Sequence, residues 1–206
     1  MAAPGVLELI ERRLGGERDG YTLGLALEGG GMRGVVSGAM LLALRDLGVI
    51  SVFDRFYGTS SGSINLAYLA AGGAWDALSV YYDHLVTGFV RRPPLPHRPL
   101  LDMGRVEEVI RAVVPLDIDA LDRSALDVRL ILTDVVERRP VVVAARSVTD
   151  RLPEHLLAGA WLPILAGRPY VIDGHPYLDG GLLWPDPLYG ALDEGCSHIL
   201  VLNTAA

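Results

Sequence analysis

Ser60 stands at the centre of Gly58-Thr59-Ser60-Ser61-Gly62, between a short apolar segment and a longer helical one. Glycines on both sides allow a tight, strained strand-to-helix turn that pushes the central hydroxyl into the open, the geometry a serine nucleophile needs. A helix expected from Ser61 to Ala71 would aim its unpaired N–H groups and the positive end of its dipole at whatever Ser60 attacks. The pattern fixes only three positions in five, so an ordinary structural turn is the competing reading. Thr59, Ser61 and Ser63 are the rival hydroxyls, but Ser60 alone is centred between the glycines.

Two further motifs could serve such a nucleophile. Gly29-Gly30-Gly31-Met32-Arg33-Gly34 lies between a predicted strand and a predicted helix, where consecutive backbone N–H groups can converge on one spot and hold an oxyanion. Arg33 would either add charge to that hole or brace the loop. The same run satisfies G-x-G-x-x-G at Gly29, Gly31 and Gly34, so dinucleotide binding competes. Its acidic partner would be Asp54, which stands near the start of the second predicted strand rather than its end and fits badly. Asp179-Gly180-Gly181 is the third motif, a carboxylate on a rigid loop that could take a proton directly from a serine. A plain turn is its bland reading. Asp173 and Asp186 are the rival carboxylates, one in a hairpin turn and one in an exposed loop.

A Ser-Asp-His triad is the other catalytic possibility, because Ser60, Asp179 and His198 follow that chain order. His198 opens a predicted strand, where a lone histidine more often packs than reacts. His84, His97, His155 and His175 are scattered without the spacing of a metal site such as H-E-x-x-H, and the single Cys196 offers neither a disulfide nor a thiolate cluster. No metal and no organic cofactor is expected.

The elements that must position these groups can be read from hydrophobic periodicity. Strands are expected at Tyr21–Leu27 and Val52–Tyr57, each followed by a helix, Met32–Leu47 and Ser61–Ala71. Strand, helix, strand, helix predicts an α/β fold with a mostly parallel central sheet sandwiched by helices. In the first helix Val36, Met40, Leu44 and Leu47 recur at helical spacing, and the helix is expected to be covered on most sides. Further helices are expected at Ala74–Val86 and Met103–Val113, partly over Thr149–Leu165, where Pro163 interrupts, and at Pro187–Leu192. Hairpins are expected at Val128–Val135 with Pro140–Ala144, and around the turn Asp173-Gly174; His198–Leu202 gives a last buried strand. The proline-rich stretch Arg91–Pro99 breaks every pattern and reads as a stiff connector, with a lid or headgroup contact as the functional alternative because Arg91, Arg92 and Arg98 alternate with Leu95, Leu100 and Leu101.

At 206 residues, half of them apolar, the chain suits one domain spanning 1–206, with residues 1–20 as an extension carrying a short helix faced by Val6, Leu7, Ile10 and Leu14. That opening segment lacks the apolar core flanked by basic residues of a secretory signal, and no apolar run is long enough to span a bilayer. A net charge of −7 argues against nucleic acid as a partner. A cytoplasmic location is expected. The chain ends a few residues after a predicted core strand, which leaves room for a natural protein that continues beyond Ala206.

Taken together, G-G-G-x-R-G, G-x-S-x-G and D-G-G in this order resemble the patatin-like phospholipase family, from about Thr22 to Leu202. Softer matches are Thr59, Gly62-Ser63, Trp161-Leu162-Pro163 and Pro187-Leu188, and Ser61 stands where many members carry alanine. The resemblance implies a patatin-like acyl hydrolase architecture and a Ser-Asp dyad without a catalytic histidine: Ser60 as nucleophile, Asp179 as base, and the loop from Gly29 to Gly34 as oxyanion hole. It implies a lipid or phospholipid ester as substrate and peripheral contact with a membrane; the oligomeric state is left open. Leu182, Leu183 and Trp184, near the dyad in sequence, together with Trp161 and Leu162 from the preceding helix, are candidate walls for an acyl groove. A lipid-binding protein that keeps the fold without the activity is the non-enzymatic alternative.

Overall fold

The structure, a computed structural model, describes residues 3–91 and 98–204. Its order begins with helix α1 (Val6–Leu14), strand β1 (Leu23–Leu27), α2 (Gly34–Asp46), β2 (Arg55–Thr59), α3 (Ser61–Ala70) and α4 (Ala74–Ser79), which runs on as a π-helical turn to Leu85. Then come α5 (Met103–Glu108), α6 (Ile118–Arg123), β3 (Val128–Asp134), β4 (Arg139–Ala144) and α7 (Leu152–Gly159). The chain closes with β5 (Tyr170–Ile172), β6 (His175–Asp179), α8 (Leu188–Asp193) and β7 (His198–Leu202). The expected α/β architecture is present: β7, β1, β2 and β3 lie parallel through the centre of one mixed sheet, and β4, β5 and β6 join it antiparallel.

The pairing of β3 sets the geometry of everything functional. Antiparallel β4 runs along β3 from Arg129 to Asp134, taking one whole edge. The other edge is shared. β2 pairs with Val128 to Ile131, ending at Thr59 opposite Ile131, and β6 pairs with Leu132 to Asp134, ending at Asp179 opposite Leu132. Two strands therefore meet end to end on adjacent rungs of a third, each delivering its C-terminus to the same point.

Helix α3 follows β2 and is buried at all ten positions, which explains its apolar composition on every side. Most of the core lies on this face of the sheet, with Leu25, Phe56, Leu130 and Leu132 packed under α3, α5 and α7. The opposite face is thinner, where Tyr57, Ile131, Ala191 and Cys196 cluster beneath α8. Arg13 ties α1 to the sheet: its guanidinium grips Asp19 with two 2.8 Å bonds and also donates to the Val52 carbonyl and to Asp54. That grip holds the Asp19 carboxyl well below the usual carboxylate range. Among the described residues no helix is long and apolar enough to cross a membrane.

Several details depart from the periodicity. In α2 the buried face is Gly34, Ser37, Gly38, Leu41 and Leu42, whereas Val36 and Leu47 are exposed. Close packing contributes: a Cβ at Gly38 would sit 2.9 Å from Leu78 and 3.0 Å from Asn65, so small residues share the inward face with Leu41 and Leu42. In α1, Leu9 and Ile10 are buried while Leu7 and Leu14 point outward. Between Val113 and Asp127, where periodicity marks no element, lies α6, started by Asp117, whose carboxylate accepts the Ala120 N–H at 2.8 Å. The Asp173-Gly174 hairpin forms as expected, with positive φ at both residues. Of the proline-rich connector, residues 92–97 lie outside the described residues.

Close approach governs Gly62, where a Cβ would lie 2.3 Å from the Leu27 carbonyl oxygen. Leu27 belongs to β1, held on both sides by β2 and β7, and cannot retreat. Gly62→Ala should lower the free energy of unfolding by about 3 kcal/mol, read from the midpoint of a urea titration.

Candidate active site

Ser60 occupies the single residue between β2 and α3, with φ 53° and ψ −131°. A non-glycine residue is strained there, and the surrounding packing maintains the strain. Both flanking glycines are needed for space, and Gly29 passes so close that a Cβ on it would lie 2.5 Å from the Ser60 Cβ. The glycine-rich loop is thus pressed directly against the turn.

Asp179, at the end of β6, is 2 % exposed. Its Oδ1 accepts the Gly181 N–H at 2.8 Å, its carbonyl accepts the Thr133 hydroxyl at 2.9 Å, and its own N–H donates to the Trp161 carbonyl at 3.1 Å. Burial raises its carboxyl from the ordinary range to about 6, partly opposed by the facing Ser60 hydroxyl and by the Gly181 N–H. The environment is that of a proton acceptor tuned toward neutrality.

The loop from Gly29 to Gly34 turns at Gly30 (φ 134°) into a single 3-10 turn, Gly31–Arg33. Among the described residues no acceptor takes the N–H groups of Gly30 and Gly31. Its carbonyls, by contrast, are engaged: Gly29 accepts the Thr204 hydroxyl at 2.6 Å, and Gly34 accepts Ser37 at 3.2 Å. Arg33 is exposed, its Nε lying beside Gly30. The loop, Ser60, Asp179 and Gly181 line one open groove of about 490 Å³.

A second, apolar cavity of about 50 Å³ runs inward from this groove, and the two share Met32, Ser60, Phe89, Leu101 and Leu162. Its deeper walls are Ile64, Leu85, Met103, Val106 and Ile110. Of the walls expected from the sequence, only Leu162 lines this cavity. Leu182 and Leu183 are exposed outside the cavity, and Trp184 packs with Tyr57 and Ile131 on the far face of the sheet. Trp161 donates from Nε1 to the Arg168 carbonyl and meets Tyr170 edge-on, so its contribution to the site is the backbone bond to Asp179. Proximity in sequence to Asp179 misled here because the chain crosses the plane of the sheet within the turn after β6. The stripe Met103, Val106 and Ile110 was visible at helical spacing, but nothing local distinguishes a cavity wall from core.

His198 lies at the opposite end of the sheet from Ser60. It pairs with Leu23 at the start of β1, four residues below the rung where Leu27 meets Gly58, a separation of about 13 Å along the strands. Its ring contacts the Pro4 carbonyl, Ser197 and Tyr21, which excludes the triad through His198. The dinucleotide reading fails as well. Asp54 is taken by Arg13 and the Leu23 N–H, and the Ser60 turn is pressed against Gly29, the first glycine of the motif.

The patatin-like phospholipase family model matches residues 25–192. Uncharacterized NTE family proteins from Mycobacterium bovis and from two strains of Mycobacterium tuberculosis are 30% identical over 161 residues, 75% of this chain and 26% of theirs. The chain thus spans about a quarter of the length of the curated relatives it matches. Among solved structures, VipD from Legionella pneumophila superposes with a TM-score of 0.52 at 14% identity, covering 79% of this chain and 46% of that one, a likeness of fold.

An acid whose pKa rises on folding opposes stability once it ionises. The opposition is absent below about pH 4, develops as pH rises, and is complete above about pH 6. Asp179→Asn keeps the acceptor for the Gly181 N–H and removes the buried charge. It should therefore stabilise the fold at pH 8 by roughly 3 kcal/mol and leave it nearly unchanged at pH 4, measured as paired thermal melts of variant and wild type.

Proposed function

Because the chain belongs to the patatin-like phospholipase family, we propose that it is a serine acyl hydrolase of lipid esters working through Ser60 and Asp179. One observation carries the reading. A strained serine and a buried carboxylate with pKa near 6 are delivered to adjacent rungs of β3, where an apolar cavity opens from the groove they share.

In this mechanism the ester's acyl chain enters the apolar cavity and its carbonyl lies over Ser60. Ser60 Oγ attacks the carbonyl carbon as its proton passes to Asp179, and the carbonyl π pair moves onto oxygen. The N–H groups of Gly30 and Gly31, together with the start of α3, supply the hydrogen bonds and dipole that stabilise the oxyanion. Collapse of the intermediate expels the alkoxide, which leaves with the proton held by Asp179. Water then attacks the acyl-serine while Asp179 again takes a proton, and the fatty acid is released as Ser60 recovers its hydrogen. Asp179 must be ionised to begin each half-reaction, and burial places that ionisation where a base remains strong yet available near neutral pH. Met32 and Arg33 contribute to the loop, Arg33 lying along the groove wall where an ester's headgroup would rest. Contact with a membrane would follow from the nature of the substrate.

Labelling with a fluorophosphonate, located by peptide mass mapping, tests the nucleophile. Adduct should form on Ser60, disappear in Ser60→Ala, fall at least a hundredfold in rate in Asp179→Asn, and persist in His198→Ala; an adduct elsewhere, or dependence on His198, would overturn the dyad. With a soluble ester substrate, kcat/KM should fall tenfold per pH unit below about 6 as Asp179 protonates. A profile flat from pH 5 to 8 would remove Asp179 as the base.

A further inference from the structure

Gly34, where the glycine-rich loop becomes α2, is the meeting point of a buried polar chain that the dyad does not use. Asn65, on the second turn of α3 and 1 % exposed, donates from Nδ2 to the Gly34 carbonyl at 2.8 Å. Its Oδ1 accepts the Tyr81 hydroxyl, also at 2.8 Å. Tyr81 sits in the π-helical turn after α4, a widening of the helix that carries its ring inward to the apolar cavity and its phenol past it to Asn65. The Ser61 hydroxyl lies against that phenol. A Cβ on Gly34 would be 2.3 Å from Ser61 Oγ and 2.6 Å from the Tyr81 oxygen, so the loop is packed onto this cluster with no slack.

Counting hydrogens gives the chain a direction. The Tyr81 phenol has one proton, which goes to Asn65. Asn65 in turn spends an amide proton on Gly34. Ser61 Oγ packs beside the phenol without a hydrogen bond of its own, so the relay starts at Tyr81 and ends on the loop whose N–H groups face the same groove. We infer that Tyr81 and Asn65 are positioning residues that fix the Gly34 carbonyl and thereby aim the Gly30 and Gly31 N–H groups at the oxyanion. Burial pushes the Tyr81 phenol far above its ordinary pKa, so it remains a donor throughout the working range. Neither residue touches reacting atoms. Because a peptide unit is planar and the loop is short, rotation of the Gly34 carbonyl is passed back along the 3-10 turn to the N–H groups ahead of it.

The inference rests on the hydrolase reading of the same site, and its effect should appear in the transition state, not in substrate binding. Tyr81→Phe removes only the hydroxyl and keeps the ring against the cavity; Asn65→Leu removes the link while keeping the same branched heavy-atom framework. Each should lower kcat on a soluble aryl ester by ten- to a hundredfold with KM within twofold. Affinity for a trifluoromethyl ketone with the same acyl chain, whose adduct carries an oxyanion, should fall by the same factor, while binding of the matching non-cleavable ether stays unchanged. The double variant should lose little more than either single one, because both break one relay. Tyr81→Phe, the milder change, carries the test alone if Asn65→Leu fails to fold. Equal weakening of ketone and ether would reduce the cluster to packing, and variants within twofold of wild type in kcat would overturn the inference outright. Wild type that neither turns over ester nor binds the ketone would instead remove the hydrolase reading, and the relay with it.

Discussion

Strand β3 has one edge for β4 and a second edge that two other strands must divide. β2 arrives from below and stops opposite Ile131; β6 arrives from above and stops opposite Leu132. Backbone hydrogen bonding fixes both registers, since a slip of one residue would turn every inward side chain outward. The distance between the two functional groups is therefore a property of the ladder, enforced by bonds that also hold the sheet together. Gly180 shows how tight the junction is, for a Cβ there would lie 2.2 Å from the Ile131 carbonyl oxygen.

What the sheet positions, the surrounding burial tunes. A serine at positive φ and a carboxylate almost wholly removed from water both work against folding, and both sit where the two strand ends meet. The fully buried α3 and the ladder on either side supply the packing that keeps them in place. Carbonyls of the glycine loop are taken by Ser37, Asn65 and Thr204, leaving donors free toward the groove. Such an arrangement has no need to reorganise when charge develops on a substrate.

Much of this could be read before any coordinates. Glycine spacing marked the Ser60 turn, the loop from Gly29 to Gly34 and the Asp179 loop, because those positions are constrained by local backbone geometry and sterics that leave a direct trace in residue type. The alternation of strands and helices was legible for the same reason. What escaped depends on contacts distant in sequence. The inward face of α2 mixes glycine and serine with Leu41 and Leu42 because α3 and α4 press close, so Val36 and Leu47 advertised the wrong side. The cavity walls come from α3, the π-helical turn, Phe89 and α5, and no local pattern separates them from ordinary core. His198 satisfied the chain order of a triad, but only the parallel register of β1 and β7 reveals that it lies at the other end of the sheet. Asn65 and Tyr81 carried no motif at all; their roles exist only where three helices converge.

The end-to-end meeting of β2 and β6 also orders events in time. β1, α2, β2 and α3 are contiguous, so the serine turn and its glycine loop can form from a nascent chain as a local unit. The carboxylate comes much later, after the whole segment containing the apolar cavity has been made, and it reaches its rung only when β6 docks on β3. A ribosome-bound chain halted before that point presents the Ser60 turn and the glycine loop without Asp179, and the two strand ends meet on adjacent rungs only after β6 has been made.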